Sequence, residues 1–204
     1  MVFDPTVPDI DLTAFPRETW PHTVYNDATE PVANDNPLPR SLGFVIRAYV
    51  DADHAGNIIT RRSRTGFIIY LNNAPVYWLS KCQTGIETSF FGSEFMAMKH
   101  GCEYLRGLRF KLRSMGIPVE TPCFVYGDNK SVLVNGSKPD SVLQKKSTSV
   151  ANCFVREGSA SDEWRLPYVN TDDNCTDMLS KSLPGGRKRI KFTKMILHHV
   201  YDYE

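Results

Sequence analysis

The chain has 204 residues, 41% hydrophobic and 23% charged, with a net charge of +1. This is an ordinary globular composition, long enough for one domain with a real core and too short for two clear ones. A balance so near neutrality excludes a wholesale polycation, so any contact with a polyanion must come from local patches. No apolar run approaches the roughly 18 residues needed to span a bilayer.

Residues 1 to about 40 hold seven of the 13 prolines, from Pro5 to Pro39. Proline removes backbone donors and breaks helices and central strands. This stretch is expected to be an extended leader or a connection from something upstream. Its start, "MVFDPTVPDIDL", shows no basic segment followed by an apolar one, so no secretory signal is expected. The five cysteines are widely spaced and never form a C-x-x-C pair. They predict neither a zinc knuckle nor a disulfide framework, and favour a reducing intracellular compartment.

The texture changes at Gly43. "GFVIRAYVD" is β-branched and aromatic and predicts a strand ending at Asp51. "RTGFIIYL" (Arg64 to Leu71), the turn signal "NNAP" and "VYWLS" (Val76 to Ser80) extend it into an antiparallel meander. "GSEFMAMKHGCEYLRGLRFKLRSMG" repeats Phe95, Met98, Cys102, Leu105 and Leu108 at helical steps, with Ser93 as candidate N-cap and Gly116 as stop. "PCFVYGDN" predicts a strand running to Asp128, and "KSVLVN" a short helix. "SVLQKKSTSVANCFVREG" predicts a helix to Gly158, "EWRLPYV" a strand, and "DNCTDMLSKSL" a short helix capped near Asn174. The tail "RKRIKFTKMILHHV" reads as an amphipathic helix packing Ile190, Met195 and Leu197 beneath a basic outer face. Three meandering strands followed by alternating helices and strands predict an α/β domain with a mixed sheet.

The chemistry lies in the acids. "AYVDADHAG" offers Asp51 and Asp53 at the end of an apolar run. A calcium loop of the EF-hand type fails, because Arg62 stands where the bidentate glutamate belongs. A reverse-transcriptase polymerase site fails as well, because Ala52 separates the aspartates. The remaining reading joins Asp51 to Glu94 at the start of the long helix, Asp128 after the fourth strand and Asp177 in the late helix. Four acids at element ends can converge over one sheet. Such a cluster repels itself and needs cations, and hard carboxylates without histidine or thiol partners suit Mg²⁺ or Mn²⁺. Two ions roughly 4 Å apart can clamp the attacking and leaving oxygens of a phosphodiester. With the strand expected to stop at Asp51, Asp53 is left outside this set.

The motifs "YVDADHAG", "RRSRTGFIIYL", "YWLSKCQTGIETSFFGSEFMAMKHG", "VYGDNKSV" and "DDNCTDMLSKSLP", in this order and spacing, resemble the ribonuclease H domain of Ty/copia-type retrotransposon reverse transcriptases. The resemblance runs from about Arg47 to Pro184. It implies a ribonuclease H-like fold with a five-stranded mixed sheet, three antiparallel strands then parallel ones, flanked by helices. The implied organisation is a leader over 1–40, the ribonuclease H-like domain over 41–184 and a basic tail over 185–204. The family's Asp, Glu, Asp, Asp set maps onto Asp51, Glu94, Asp128 and Asp177, and implies two bound Mg²⁺ (or Mn²⁺) ions. The implied activity is cleavage of the RNA strand of an RNA–DNA hybrid, with an upstream polymerase domain in the parent polyprotein and residence in a cytoplasmic virus-like particle or the nucleus. Candidate hybrid contacts are Arg61, Arg62, Ser63 and Arg64 in "TRRSRTG", then Lys81, Gln83, Ser93 and Asn129. The chain departs from the family in one helix, where Ser147 and Cys153 stand at positions held by histidine in many relatives, while Arg156 and Glu157 remain. That departure keeps a rival open, a catalytically inactive module of the same fold that binds nucleic acid or serves a structural part.

Overall fold

The computed structural model describes residues 6–11, 14–21, 23–25, 27–141 and 148–197. Ser147 and the outer ends of the leader and tail lie outside these. Five strands form one sheet in the order β3-β2-β1-β4-β5. They are β1 (Ile46–Asp53), β2 (Arg64–Leu71), β3 (Ala74–Cys82), β4 (Cys123–Tyr126) and β5 (Trp164–Arg165). β1 is central, antiparallel to β2 and parallel to β4, while β3 continues the antiparallel meander and β5 runs parallel to β4. The α/β reading and its mixed sheet hold.

Both faces of the sheet are covered, which explains the unbroken apolar run in β2. Side chains alternate along a strand. Ile46, Ala48 and Val50 of β1 and Phe67 and Ile69 of β2 enter the main core. Ile68 and Tyr70 enter a second cluster on the opposite face, together with Cys175 and Phe192. The main core is closed by α1 (Phe90–Ser114), α2 (Lys130–Ser137) and α3 (Ser149–Ala160). The second face is closed by α4 (Asp177–Ser180) and α5 (Arg187–Ile196).

Several boundaries differ from the sequence reading, each for a physical reason. β1 runs on to Asp53 because the ladder continues, pairing Ala52 with Thr65 and Asp53 with Arg64. The α1 cap is Ser89, whose extended backbone lets its Oγ accept from the Gly92 N–H at 3.2 Å. Ser93 is a fully buried residue of the first turn. α3 passes Gly158 and ends at Ala160, because this glycine is an interior contact with the Trp164 indole packed where a Cβ would stand. The α4 cap falls near Asn174 as expected, at Thr176, and the Asn174 amide donates to the Val50 carbonyl at 3.0 Å. In α5 the buried anchor is Phe192, whereas Ile190 and Leu197 are about half exposed.

The leader is built into the domain. The Phe15 ring packs against Phe124 at 6.0 Å, Arg165 donates to the Phe15 carbonyl, and Trp20 is buried. Glu30 receives both Arg109 and Arg113 of α1 at 2.5–2.7 Å. Burial works to raise the Glu30 carboxyl, but its bonds and charges from the two arginines outweigh that and hold it down at about 2. Because the folded value lies below the ordinary one, this stabilisation is full above pH 4.5 and fades as pH falls towards 2. Glu30→Ala strands two largely buried guanidinium groups and is expected to cost about 3 kcal/mol at pH 7. The difference from the parent protein, followed by urea melts, should shrink as pH falls below 4.

Candidate active site

The end of the central strand is the meeting point of three elements. Asp51 sits on β1 opposite Gly66, where a Cβ would meet the Leu179 Cβ, the Ser180 nitrogen and the Thr176 carbonyl at 3.0–3.1 Å. Glycine there lets α4 lie close on the sheet, and Asn174 ties the same segment to β1 through the Val50 carbonyl. Glu94 lies just past the first turn of α1, which delivers it to the strand end. Asp128 follows β4, one residue beyond the bridge between Gly127 and Tyr168.

Carboxylate oxygens of Asp51, Glu94 and Asp128 all lie within 4.8 Å of one another. Asp51 is fully buried and takes a hydrogen bond from the Ser180 hydroxyl. Asp128 takes one from Thr171 at 2.8 Å. Burial, reinforced by the charges of Asp51 and Asp128, pushes the Glu94 carboxyl up to about 9. Burial likewise raises Asp51, opposed by Lys181 and Ser180. One buried and two half-buried carboxyl groups that offer only oxygen ligands form a hard donor set of the kind that suits divalent cations.

Asp177 is not one of the three. It is buried beside them and held by Lys181 at 2.7 Å and Lys188 at 2.7 Å. Burial alone would raise its carboxyl, but hydrogen bonds from these lysines bring it below the usual carboxylate range. Lys181 reaches Asp51 as well, at 3.1 Å, and links the two acids. Asp53 stands outside the cluster, its carboxylate turned towards the Gly56 turn.

The proposed hybrid contacts divide in two. Arg61, Arg62, Arg64 and Lys81 are exposed, and Arg62 and Arg64 line a groove of about 450 Å³ shared with Ser80 and Lys181. Ser63, Gln83 and Ser93 are buried and act inside the protein. The Ser63 Oγ accepts from the Ala55 N–H at 3.1 Å, and the Gln83 amide donates to Thr65 and to the Ser93 carbonyl. The Ser93 hydroxyl bonds the Phe90 carbonyl at 2.9 Å and lies 3.2 Å from the His54 ring. In this structure all three make internal hydrogen bonds, where the sequence reading places them against the hybrid. Asn129 caps α2, accepting from Ser131 and Val132. Sequence reasoning missed Ser180, Lys181 and Thr171. Only Lys181 carried a signal, its i+4 spacing from Asp177.

The strand order and the acids at the end of the central strand define a ribonuclease H-type domain. The enzyme LC11-RNase H1, solved in complex with an RNA/DNA hybrid, superposes with a TM-score of 0.52 at 15% identity, over 66% of this chain and 92% of its own. RNase H1 from Halobacterium salinarum superposes at 0.51 and 15% identity, over 66% and 93%. No protein-family model matches the chain. By sequence, the retrovirus-related Pol polyprotein from transposon RE2 of Arabidopsis thaliana is 30% identical over 146 residues, 72% of this chain. The chain belongs with the ribonuclease H region of retrotransposon Pol polyproteins. It spans about a tenth of the length of that curated relative.

Proposed function

We propose that this chain cleaves the RNA strand of RNA–DNA hybrids as the ribonuclease H domain of a retrotransposon reverse transcriptase. The observation that carries the reading is the convergence of Asp51, Glu94 and Asp128 on a ribonuclease H fold. Asp51, on the central strand, would hold two divalent ions, Mg²⁺ or Mn²⁺, as their shared residue. Glu94 and Asp128 would complete their coordination, and Asp177 would join as the movable fourth ligand. Ions held there supply an activated water and charge neutralisation at the leaving oxygen. Arg62 and Arg64 would track phosphates of the hybrid from the groove beside the site, Arg61 from the neighbouring loop and Lys81 from the exposed end of β3. The match to a short part of much longer Pol polyproteins supports a parent polyprotein in which an upstream polymerase domain would be its partner. A virus-like particle or the nucleus would be its working location, on the similarity to retrotransposon Pol polyproteins alone. No helix among the described residues is long and apolar enough to cross a membrane.

A hybrid labelled on either strand, incubated with Mg²⁺ or with EDTA, tests this directly. Cut RNA and intact DNA are expected with Mg²⁺ alone, and Asp128→Asn should lose cleavage by about a thousandfold while still binding the hybrid. Binding without cutting by the parent chain would overturn the reading in favour of a non-catalytic module.

A further inference from the structure

The acids have a cation among them, supplied by the chain itself. The Lys181 ammonium lies 3.1 and 3.3 Å from the two carboxylate oxygens of Asp51 and 2.7 Å from Asp177. It follows the last turn of α4 in extended backbone, and about a third of its side chain is exposed towards the groove of Arg62 and Arg64. It is therefore placed to leave without disturbing a helix. Lys188 holds the other Asp177 oxygen from the first turn of α5. A strong ion pair at this position offsets the repulsion of a buried carboxylate cluster, and the same positive charge opposes any cation approaching those oxygens.

We propose that Lys181 is a resident counter-ion that competes with divalent metal for Asp51 and holds Asp177 out of the cluster until metal binds. The inference rests on reading the three acids as a metal site and adds how that site is gated. Without metal, Lys181 neutralises Asp51 and tethers Asp177. With metal, the Asp51 oxygens turn to the ion, Lys181 swings into the groove, and Asp177 keeps only Lys188. The gate thus makes metal loading, release of Lys181 and freeing of Asp177 one event.

Lys181→Met keeps the aliphatic stem and removes the charge. Titration calorimetry of the full chain with Mn²⁺, without nucleic acid, should show affinity tightened by about tenfold, because a cation a few ångströms from the site is gone. Its melting temperature in EDTA should fall, since Asp51 and Asp177 lose their partner. Lys181→Arg should restore both values towards those of the parent. A merely structural lysine would lower stability without tightening metal binding. A folded Lys181→Met protein with unchanged or weaker Mn²⁺ affinity overturns the inference. The parent chain offers a second readout should that variant not fold. Acylation of Lys181 by an amine-reactive reagent, followed by mass spectrometry, should rise several-fold when Mn²⁺ replaces EDTA, and an unmoved rate would overturn the inference equally. Hybrid cleavage with unchanged metal affinity would sink the gate and leave the nuclease standing. Failure of both proteins to bind Mn²⁺ would sink both.

Discussion

Asp51→Asn is expected to lower hybrid cleavage by on the order of a thousandfold or more, and Asp177→Asn by only about tenfold. Asp51 lies within 4.8 Å of both other acids, so any ion held by the cluster depends on its charge. A thousandfold corresponds to about 4 kcal/mol of transition-state stabilisation. The fold should survive, because burial already disfavours the charged form of Asp51. Asp177 reaches the cluster only through Lys181, so its loss acts on loading and charge balance rather than on the central ligand. Single-turnover rates measured against Mg²⁺ concentration separate the two. Raised Mg²⁺ should recover most of the Asp177→Asn defect and little of the Asp51→Asn defect. Equal, unrecoverable losses would place Asp177 inside the cluster and refute the ranking.

What could be read from the sequence was what local pattern controls. β2 has the bounds its apolar run predicts, because a strand buried on both faces shows no interruption. The buried stripe of α1 follows Phe95, Met98, Cys102 and Leu105, with Leu108 partly covered. The order of the acids was legible because each sits just after or just inside a recognisable element. Tertiary packing decided what was not. Gly158 reads as a helix stop until the Trp164 indole is seen filling its place. Ser63, Gln83 and Ser93 read as surface groups because nothing local reveals that the β1–β2 loop and the start of α1 close over them. In α5, basic residues surround the apolar positions, so the pattern could not show that Phe192 would be the anchor. Lys181 reads as an ordinary i+4 surface pair with Asp177, and only the placement of α4 over Gly66 brings it to Asp51.

Glu94 should make both stability and metal binding depend on pH, in opposite directions. Its carboxyl is raised to about 9 from an ordinary 4.5, by burial first and then by the charges of Asp51 and Asp128. A folded value above the unfolded one means the group favours the fold most below pH 4.5. That contribution is lost progressively as pH rises towards 9. In EDTA, the stability difference between the parent chain and Glu94→Gln should therefore move against the parent from pH 5 to pH 9. Metal binding runs the other way, because coordination requires the carboxylate. At pH 7 the metal-free side chain carries a proton that a bound cation must release. Affinity should then climb by up to about tenfold per pH unit until near pH 9, the slope of one proton exchanged. Calorimetry in two buffers of different ionisation enthalpy gives the count directly, about one proton leaving the parent chain per binding event at pH 7. A heat independent of buffer, with affinity flat from pH 6 to 8, would show that Glu94 is already ionised. The cluster would then bind metal as a preformed trianion rather than by exchanging a proton for a cation.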